Sequence, residues 1–386
     1  MFWKYTLFET KILLHNRKNW FVASCLLLFF LVFFINSSQE EPMSLKDQKR
    51  EEARIMNATF DHIEVQREDV PEISEIYDIL TKQSSLINFQ VYYLGIGDDS
   101  EQYIENGLEL NQLRLKVHEL GNKGIPDYLI TPREEILKEN ALLNYMKDHK
   151  LPIGADSFLT NYYFVNALQA MSGLLFLTII LISGSELLVF EQRHRTLVKG
   201  FPISFMKKVN AKVAVHFIYI YSFLLIGFLI GCTYAVEKLN AKDFSFPVLI
   251  YKTGDYVAVS TAQYLVFIIL GMALVTVVLL YFSILLNMLF QNAFANLLVG
   301  LGIYYLPDLL VSAGMNTSYL HPIKFINIAG VLSGDLAIQL GNSSIDYKYA
   351  IILLMAVTIF LNISIYLINT YSYRRKPKDV PLEKVF

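Results

Sequence analysis

The chain has 386 residues, of which 54% are hydrophobic and only 18% charged, with a mean hydropathy of +0.39. A chain this apolar is not an ordinary soluble globule of its length, and its two cysteines, Cys25 and Cys232, both fall inside apolar runs, which excludes a disulfide framework and a cysteine metal site. The net charge of −2 conceals a strong polarity: residues 37–160 carry 24 acidic against 13 basic side chains, a net −11, which leaves +9 for the remainder.

Met1–Asn19 places Tyr5, Phe8 and Ile12 on one helical face, with Phe2 and Trp3 nearby and Lys4, Lys11, Arg17 and Lys18 supplying charge. That pattern predicts an amphipathic helix lying at the inner membrane interface over residues 1–19. Trp20–Ile35 follows as a first span within residues 20–36. No small-residue cleavage site follows it, so it reads as a retained anchor.

Residues 37–160 then predict a mainly helical domain inserted between the first and second spans. Ser44 and Asp47 form a capping box before a polar helix that fades near Asp69-Val70-Pro71. A second helix covers about Glu72–Tyr93, Asp98-Asp99-Ser100 caps a third that ends at Gly121, and Thr131-Pro132-Arg133-Glu134 starts a fourth that runs to about Lys150. The acidic triplet Asp98, Asp99 and Glu101 is more simply a helix cap than a calcium site.

Residues 161–370 hold five further apolar runs: Ala167–Leu188, Val213–Tyr234, Tyr264–Phe290, Phe294–Ser312 and Tyr349–Ile368. Each approaches the ~20 residues that a helix needs to cross a hydrocarbon core of roughly 30 Å. Between the first two lies the short basic segment 190–212, FEQRHRTLVKGFPISFMKKVNAK. Residues 371–386 form a basic tail with Arg374, Arg375, Lys376 and Lys378.

Lysine and arginine outside the insert gather before the first span, in segment 190–212 and in the tail. The positive-inside rule places all three in the cytosol. Six crossings satisfy this, with 37–160, 236–261 and 314–347 outside. The last of these, 314–347, is partly apolar over Ile323–Leu332 and is expected to dip into the interface as short helices. The expected fold is therefore an all-α membrane protein with six transmembrane helices, an N-terminal interfacial helix and an extracytoplasmic helical domain, in a bacterial plasma membrane with both termini cytoplasmic.

Enzyme chemistry is unsupported. The chain contains no G-x-x-x-x-G-K-[ST] phosphate loop and no G-x-S-x-G elbow, and its seven histidines do not cluster. His118-Glu119-Leu120-Gly121-Asn122 resembles a zincin helix, but asparagine stands where the second histidine ligand belongs. Within the spans, Glu186 near the inner end of the second can pair with Arg193 or Arg195. Asp308, beside Pro307 and the pair Tyr304-Tyr305, is the better candidate for a translocation path, because a carboxylate at membrane depth is costly unless it faces a cavity or partner. Gly227 and Gly231 make a GxxxG pattern suited to close helix contact, within the chain or between two copies.

The layout and the 190–212 segment together resemble the ABC-2 type permeases, the membrane subunits of ABC exporters. The specific part is Glu191-Gln192-Arg193-His194-Arg195-Thr196, followed by Pro202-Ile203-Ser204 and by Lys207, Lys208 and Lys212. A similar Glu…Thr…Pro-x-Ser run in that family forms the coupling helix that docks into the ATPase. The chain departs from the family in having Arg195 where a glycine commonly precedes the threonine, and in a shorter Thr196–Pro202 interval.

The resemblance implies coupling through Glu191, Arg193, Arg195, Thr196 and Pro202. It implies a separate ABC ATPase subunit, ATP and magnesium held by that partner with no cofactor on this chain, and a homodimer or a heterodimer with a second permease in the lipid bilayer. The cargo class it implies is a peptide, an antibiotic-like compound, a lipid-like molecule or an ion; no nucleic acid is expected. The competing expectation is a membrane receptor whose extracytoplasmic domain binds a ligand.

Overall fold

The computed structural model describes residues 2–39, 43–64, 71–96, 99–154, 157–189, 191, 202–238, 241–315 and 318–374. Among these described residues, five helices are long and apolar enough to cross a membrane, or six if one bent pair is counted as a single span. The chain is thus a multi-pass membrane protein by the length and composition of its helices. It divides into two compact units, one of residues 1–32, 169–231 and 268–386, the other of residues 33–168 and 232–267.

The first unit begins with α1 (Phe2–His15), and α2 (Arg17–Ser37) starts in it and continues into the second unit. The expected face of α1 shifts by one position. Its buried stripe is Tyr5, Glu9 and Leu13, spaced four residues apart, whereas Trp3, Leu7 and Leu14 are exposed. A carboxylate thus sits in the middle of the buried stripe, which a simple amphipathic reading does not anticipate.

The second apolar run is not one continuous helix. It is α7 (Leu159–Met171) and α8 (Leu174–Gly184), bent by 45°. Gly173 forms the break with φ of 81°, a backbone conformation that glycine adopts without a side-chain clash. Non-helical backbone at membrane depth must be covered by protein, and Ser172 and Gly173 are both buried.

The next helix, α9 (Phe205–Lys238), has 34 residues and is about 50 Å long at 1.5 Å per residue. It exceeds the hydrocarbon thickness. Residues 205–212 of the expected cytosolic hairpin are therefore its first two turns, and Lys207, Lys208 and Lys212 ride on a helix. Gly227 lets α9 approach α2 closely, since a Cβ there would lie 2.5 Å from the carbonyl oxygen of Leu26. Phe30 and Phe228 pack edge to face beside this crossing, 5.3 Å apart. Within this chain Gly227 thus serves α2–α9 packing, and Gly231 is buried one turn further along α9.

Helices α10 (Thr261–Phe290) and α11 (Ala293–Ser312) are separated by a two-residue turn. Gln291 takes φ of 52° there, and the Asn292 side chain accepts from the backbone N–H of Phe294 at 2.9 Å, capping α11. Three short helices follow, α12 (His321–Lys324), α13 (Ile328–Leu332) and α14 (Asp335–Gln339), with all five residues of α13 buried. The last helix is α15 (Tyr347–Arg374).

The second unit holds the helices α3 (Leu45–Glu64), α4 (Pro71–Ile96), α5 (Ser100–Glu119) and α6 (Arg133–His149). Ser44 and Asp47 make a reciprocal cap: the Asp47 N–H donates to Ser44 Oγ at 3.2 Å and Ser44 Oγ donates to Asp47 Oδ2 at 2.6 Å. Asp99 caps α5 by accepting from the Gln102 N–H at 3.2 Å. Thr131 does not cap α6, whose N-cap is Pro132. Instead its carbonyl oxygen lies 2.8 Å from His118 Nε2, while His118 Nδ1 lies 3.2 Å from Asn122 Nδ2. Both histidine nitrogens are occupied by loop contacts, so the zincin-like run is a helix end.

The all-α expectation needs one correction. Segment 236–261 contains an antiparallel hairpin, β1 (Pro247–Lys252) and β2 (Asp255–Ser260), with Tyr251 paired to Tyr256. Its turn residues Thr253 and Gly254 both have positive φ, 47° and 98°. Turns of that sign match strand twist and make a tight two-residue connection. The hairpin packs on α6, where Tyr256 Oη donates to Glu134 at 2.6 Å. Phe246, just before β1, is 2% exposed in a core with Leu94, Tyr103, Ile104, Leu143, Met146 and Ile153.

Candidate functional site

Glu191, the first residue of the family-like motif, lies in a charged and largely buried cluster of the first unit. Tyr5 Oη donates to Glu191 Oε1 at 2.6 Å, and Lys212 Nζ lies 3.3 Å from the same oxygen. Lys212 also donates to Glu9 Oε1 at 2.8 Å. The Lys212 and Glu9 side chains are only 2% and 6% exposed. Three separate stretches of sequence meet here: α1 through Tyr5 and Glu9, the start of the hairpin through Glu191, and the second turn of α9 through Lys212.

Burial, with Glu191 and Glu9 alongside, drives the Tyr5 phenol well above its usual range. It stays protonated and acts as a donor to the carboxylate. Lys212 is the shared counter-ion of two carboxylates, so withdrawing any member leaves a charge or a polar group short of a partner in a poorly solvated place.

A second group adjoins it. Lys18 Nζ lies 3.2 Å from Glu186 Oε2 and donates to Ser185 Oγ at 3.2 Å, and Asn16 Nδ2 donates to the same carboxylate at 3.1 Å. Glu186 is thus paired with Lys18, from the start of the first span. The expected alternatives, Arg193 and Arg195, lie outside the described residues. Asn19 closes the α1–α2 corner by donating to the Leu13 carbonyl at 2.9 Å, and Tyr219 on α9 donates to the Asn19 carbonyl at 2.8 Å. A cavity of about 230 Å³ lies among Glu9, Asn16, Lys18, Glu186, Lys212 and His216. His216 Nδ1 lies 3.0 Å from Ser183 Oγ on its wall.

Among the described residues no three His, Cys, Asp or Glu side chains are grouped to hold a metal ion. The cluster ties α1, Glu191 and α9 to one another by short charged contacts.

Of the other coupling candidates, Arg193, Arg195 and Thr196 lie outside the described residues. Pro202 is exposed in the non-helical residues that lead into α9. Asp308 stands apart from the cluster, on α11. It accepts from Lys324 Nζ, and that ammonium sits 5.7 Å from the Tyr304 ring centre. Asp308 remains 48% exposed and Tyr305 41% exposed. Glu9 and Tyr5 were not legible as site residues, although their spacing along α1 with Leu13 was the available signal. Lys212 read as one of several topogenic charges and as the last residue of the family-like run, not as a buried counter-ion.

Comparison with family models, curated proteins and solved structures returned no match.

Proposed function

We propose that the chain is the membrane permease subunit of an ATP-driven exporter, powered by a separate ATPase that grips segment 190–212. The observation that carries this reading is the anchoring of Glu191. A charged loop that serves only to orient spans needs no buried partners, whereas Glu191, at the base of a basic hairpin of coupling-helix type, is bound to α1 by Tyr5 and to α9 by Lys212. In this reading ATP binding closes the ATPase pair and moves the hairpin. Lys212 and Tyr5 pass that motion to α9 and α1, and the membrane halves change the side on which the path opens. Two such chains, or this one and a similar permease, enclose the path, with residues 37–160 extracytoplasmic and both termini in the cytosol. Asp308, Tyr304 and Tyr305 are the proposed path residues at the outer end of α11.

The test is affinity purification of the full chain from native membranes after mild cross-linking. The expected result is co-purification of an ATP-binding subunit whose cross-links map to residues 192–204, and Glu191→Ala leaves the complex able to hydrolyse ATP while transport falls. Recovery of the chain without any ATPase, or cross-links confined to other segments, overturns the reading in favour of a receptor.

A further inference from the structure

The second unit contains a cavity of about 440 Å³ that the coupling mechanism does not use. Its volume falls within the 300–1,000 Å³ range of small-molecule sites. Its lining combines apolar Leu45, Leu142, Leu143, Met146, Phe158 and Leu159 with polar Ser44, Gln48, Tyr103 and a charged group of Lys49, Glu52 and Glu139 at one end.

The polar end is already charge-balanced. Lys49 Nζ lies 2.9 Å from Glu52 and 2.7 Å from Glu139. Arg114, 8% exposed, pairs with Glu139 at 3.1 Å and also with Glu52. Two cations and two carboxylates thus satisfy one another. An incoming ion would have to break a largely buried pair, at the high cost of an uncompensated charge.

One polar group at that end lacks a partner. Tyr103 is 3% exposed, and among the described residues its hydroxyl makes no hydrogen bond. Burial, eased by Lys49 and reinforced by Glu139, pushes its phenol up to about 12, so it is a neutral donor across the physiological range. Its oxygen is not among the fully buried polar atoms that lack a partner, so it opens onto the cavity, where a ligand oxygen can accept from it.

Part of the cavity wall comes from residues next to two candidate spans. Leu159 and Tyr162, on its wall, belong to the first turn of α7, the leading half of the bent candidate span. Met43 and Leu45 follow shortly after α2 ends at Ser37. In the membrane-span reading, these residues put the cavity within reach of a molecule at the bilayer surface.

We propose that this cavity binds a neutral amphiphile, with an apolar chain against Leu142, Leu143, Met146 and Phe158 and an ester or hydroxyl oxygen accepting a hydrogen bond from Tyr103. The ligand class is an uncharged acyl ester of monoacylglycerol type. The assignment rests on the membrane-span reading for its route of access, and not on export or on an ATPase.

The test uses the full chain reconstituted in phosphatidylcholine vesicles with a trace of monoacylglycerol carrying a diazirine in its acyl chain. After irradiation, labelled residues are mapped by mass spectrometry. Parallel arms use the same chain as an ionised fatty acid and as an alkylammonium, and a further arm adds an unlabelled apolar tripeptide as competitor. The expected result is labelling at Leu142 and Phe158 by the neutral ester. Tyr103→Phe, which keeps the ring, lowers that labelling about tenfold, the equivalent of about 1.4 kcal/mol. The two ions label these positions at least tenfold less. Leu142→Trp, which fills the cavity, abolishes the signal, and an unchanged helical spectrum shows that the unit remains folded. The proposal is overturned by label confined to the membrane helices, by equal labelling with either ion, by a Tyr103→Phe variant that labels like the parent, or by displacement of the ester by the tripeptide at lower concentration.

Discussion

Lys212 holds two carboxylates at once, and Lys212→Met tests what that contact is worth. Methionine keeps much of the apolar stem but removes the charge. At 2.8 and 3.3 Å, each lysine–carboxylate contact has a gross attraction of roughly 5 kcal/mol at an effective dielectric of about 20, most of it offset by desolvation of the partners. What the variant leaves behind decides the net effect. Glu9, only 6% exposed, loses its cation, and breaking a buried pair in this way typically costs about 3–5 kcal/mol. Glu9→Gln in the same background removes the stranded charge, so the double variant is expected to recover part of the loss, with a coupling of roughly 1–3 kcal/mol. The assay is SDS titration of the purified protein in mixed micelles, followed by tryptophan fluorescence. The chain's two tryptophans, Trp3 and Trp20, lie on α1 and at the start of α2, beside the cluster. A loss below about 1 kcal/mol for Lys212→Met, or a double variant that is simply additive, would refute the claim that this ion triad joins α1 to α9.

Gly227→Ala is expected to cost about 1–3 kcal/mol, because the new methyl would meet the Leu26 carbonyl, which is backbone and cannot swing aside; Gly302→Ala, with open space around it, should be neutral or slightly stabilising in the same titration. Phe246→Ala should lower the stability of the helical insert by about 3–5 kcal/mol. By the same argument, residues 40–158 produced alone should give a helical circular dichroism spectrum but melt lower than the same piece joined to residues 243–262. Burial raises the Glu139 carboxyl, yet Lys49 and Arg114 outweigh it and hold the group below the usual carboxylate range. The stability it contributes is therefore full above its unfolded value of about 4.3 and is lost as pH falls through the lower folded value. Thermal midpoints of the parent and of Glu139→Gln should accordingly converge on acidification below about pH 4, and parallel curves down to pH 2 would count against the network.

Much of the fold follows from local chemistry, and that is the part the sequence determined by itself. Long apolar runs became helices of membrane length because a lipid core leaves backbone groups no partner outside the helix. The insert's helix starts at Ser44 and Asp99 were legible because a cap is a contact between residues two or three positions apart. Positions that depend on neighbours distant in sequence were not legible. Nothing near Glu9 announces Lys212, which is 203 residues away, and an isolated acidic residue on an amphipathic helix reads as surface. The break at Gly173 was hidden because hydropathy does not register a single positive φ inside an apolar run. The hairpin at 247–260 was missed because its strands are short and only partly buried, without a clean alternation of apolar and polar residues. Tertiary structure alone decided that α2 and α9 touch at Gly227, that Glu191 is tied to two helices, and that Tyr103 lines a cavity with its hydroxyl unpaired. Each depends on which surfaces come together, and a pattern of residue types along one segment carries no record of its partner.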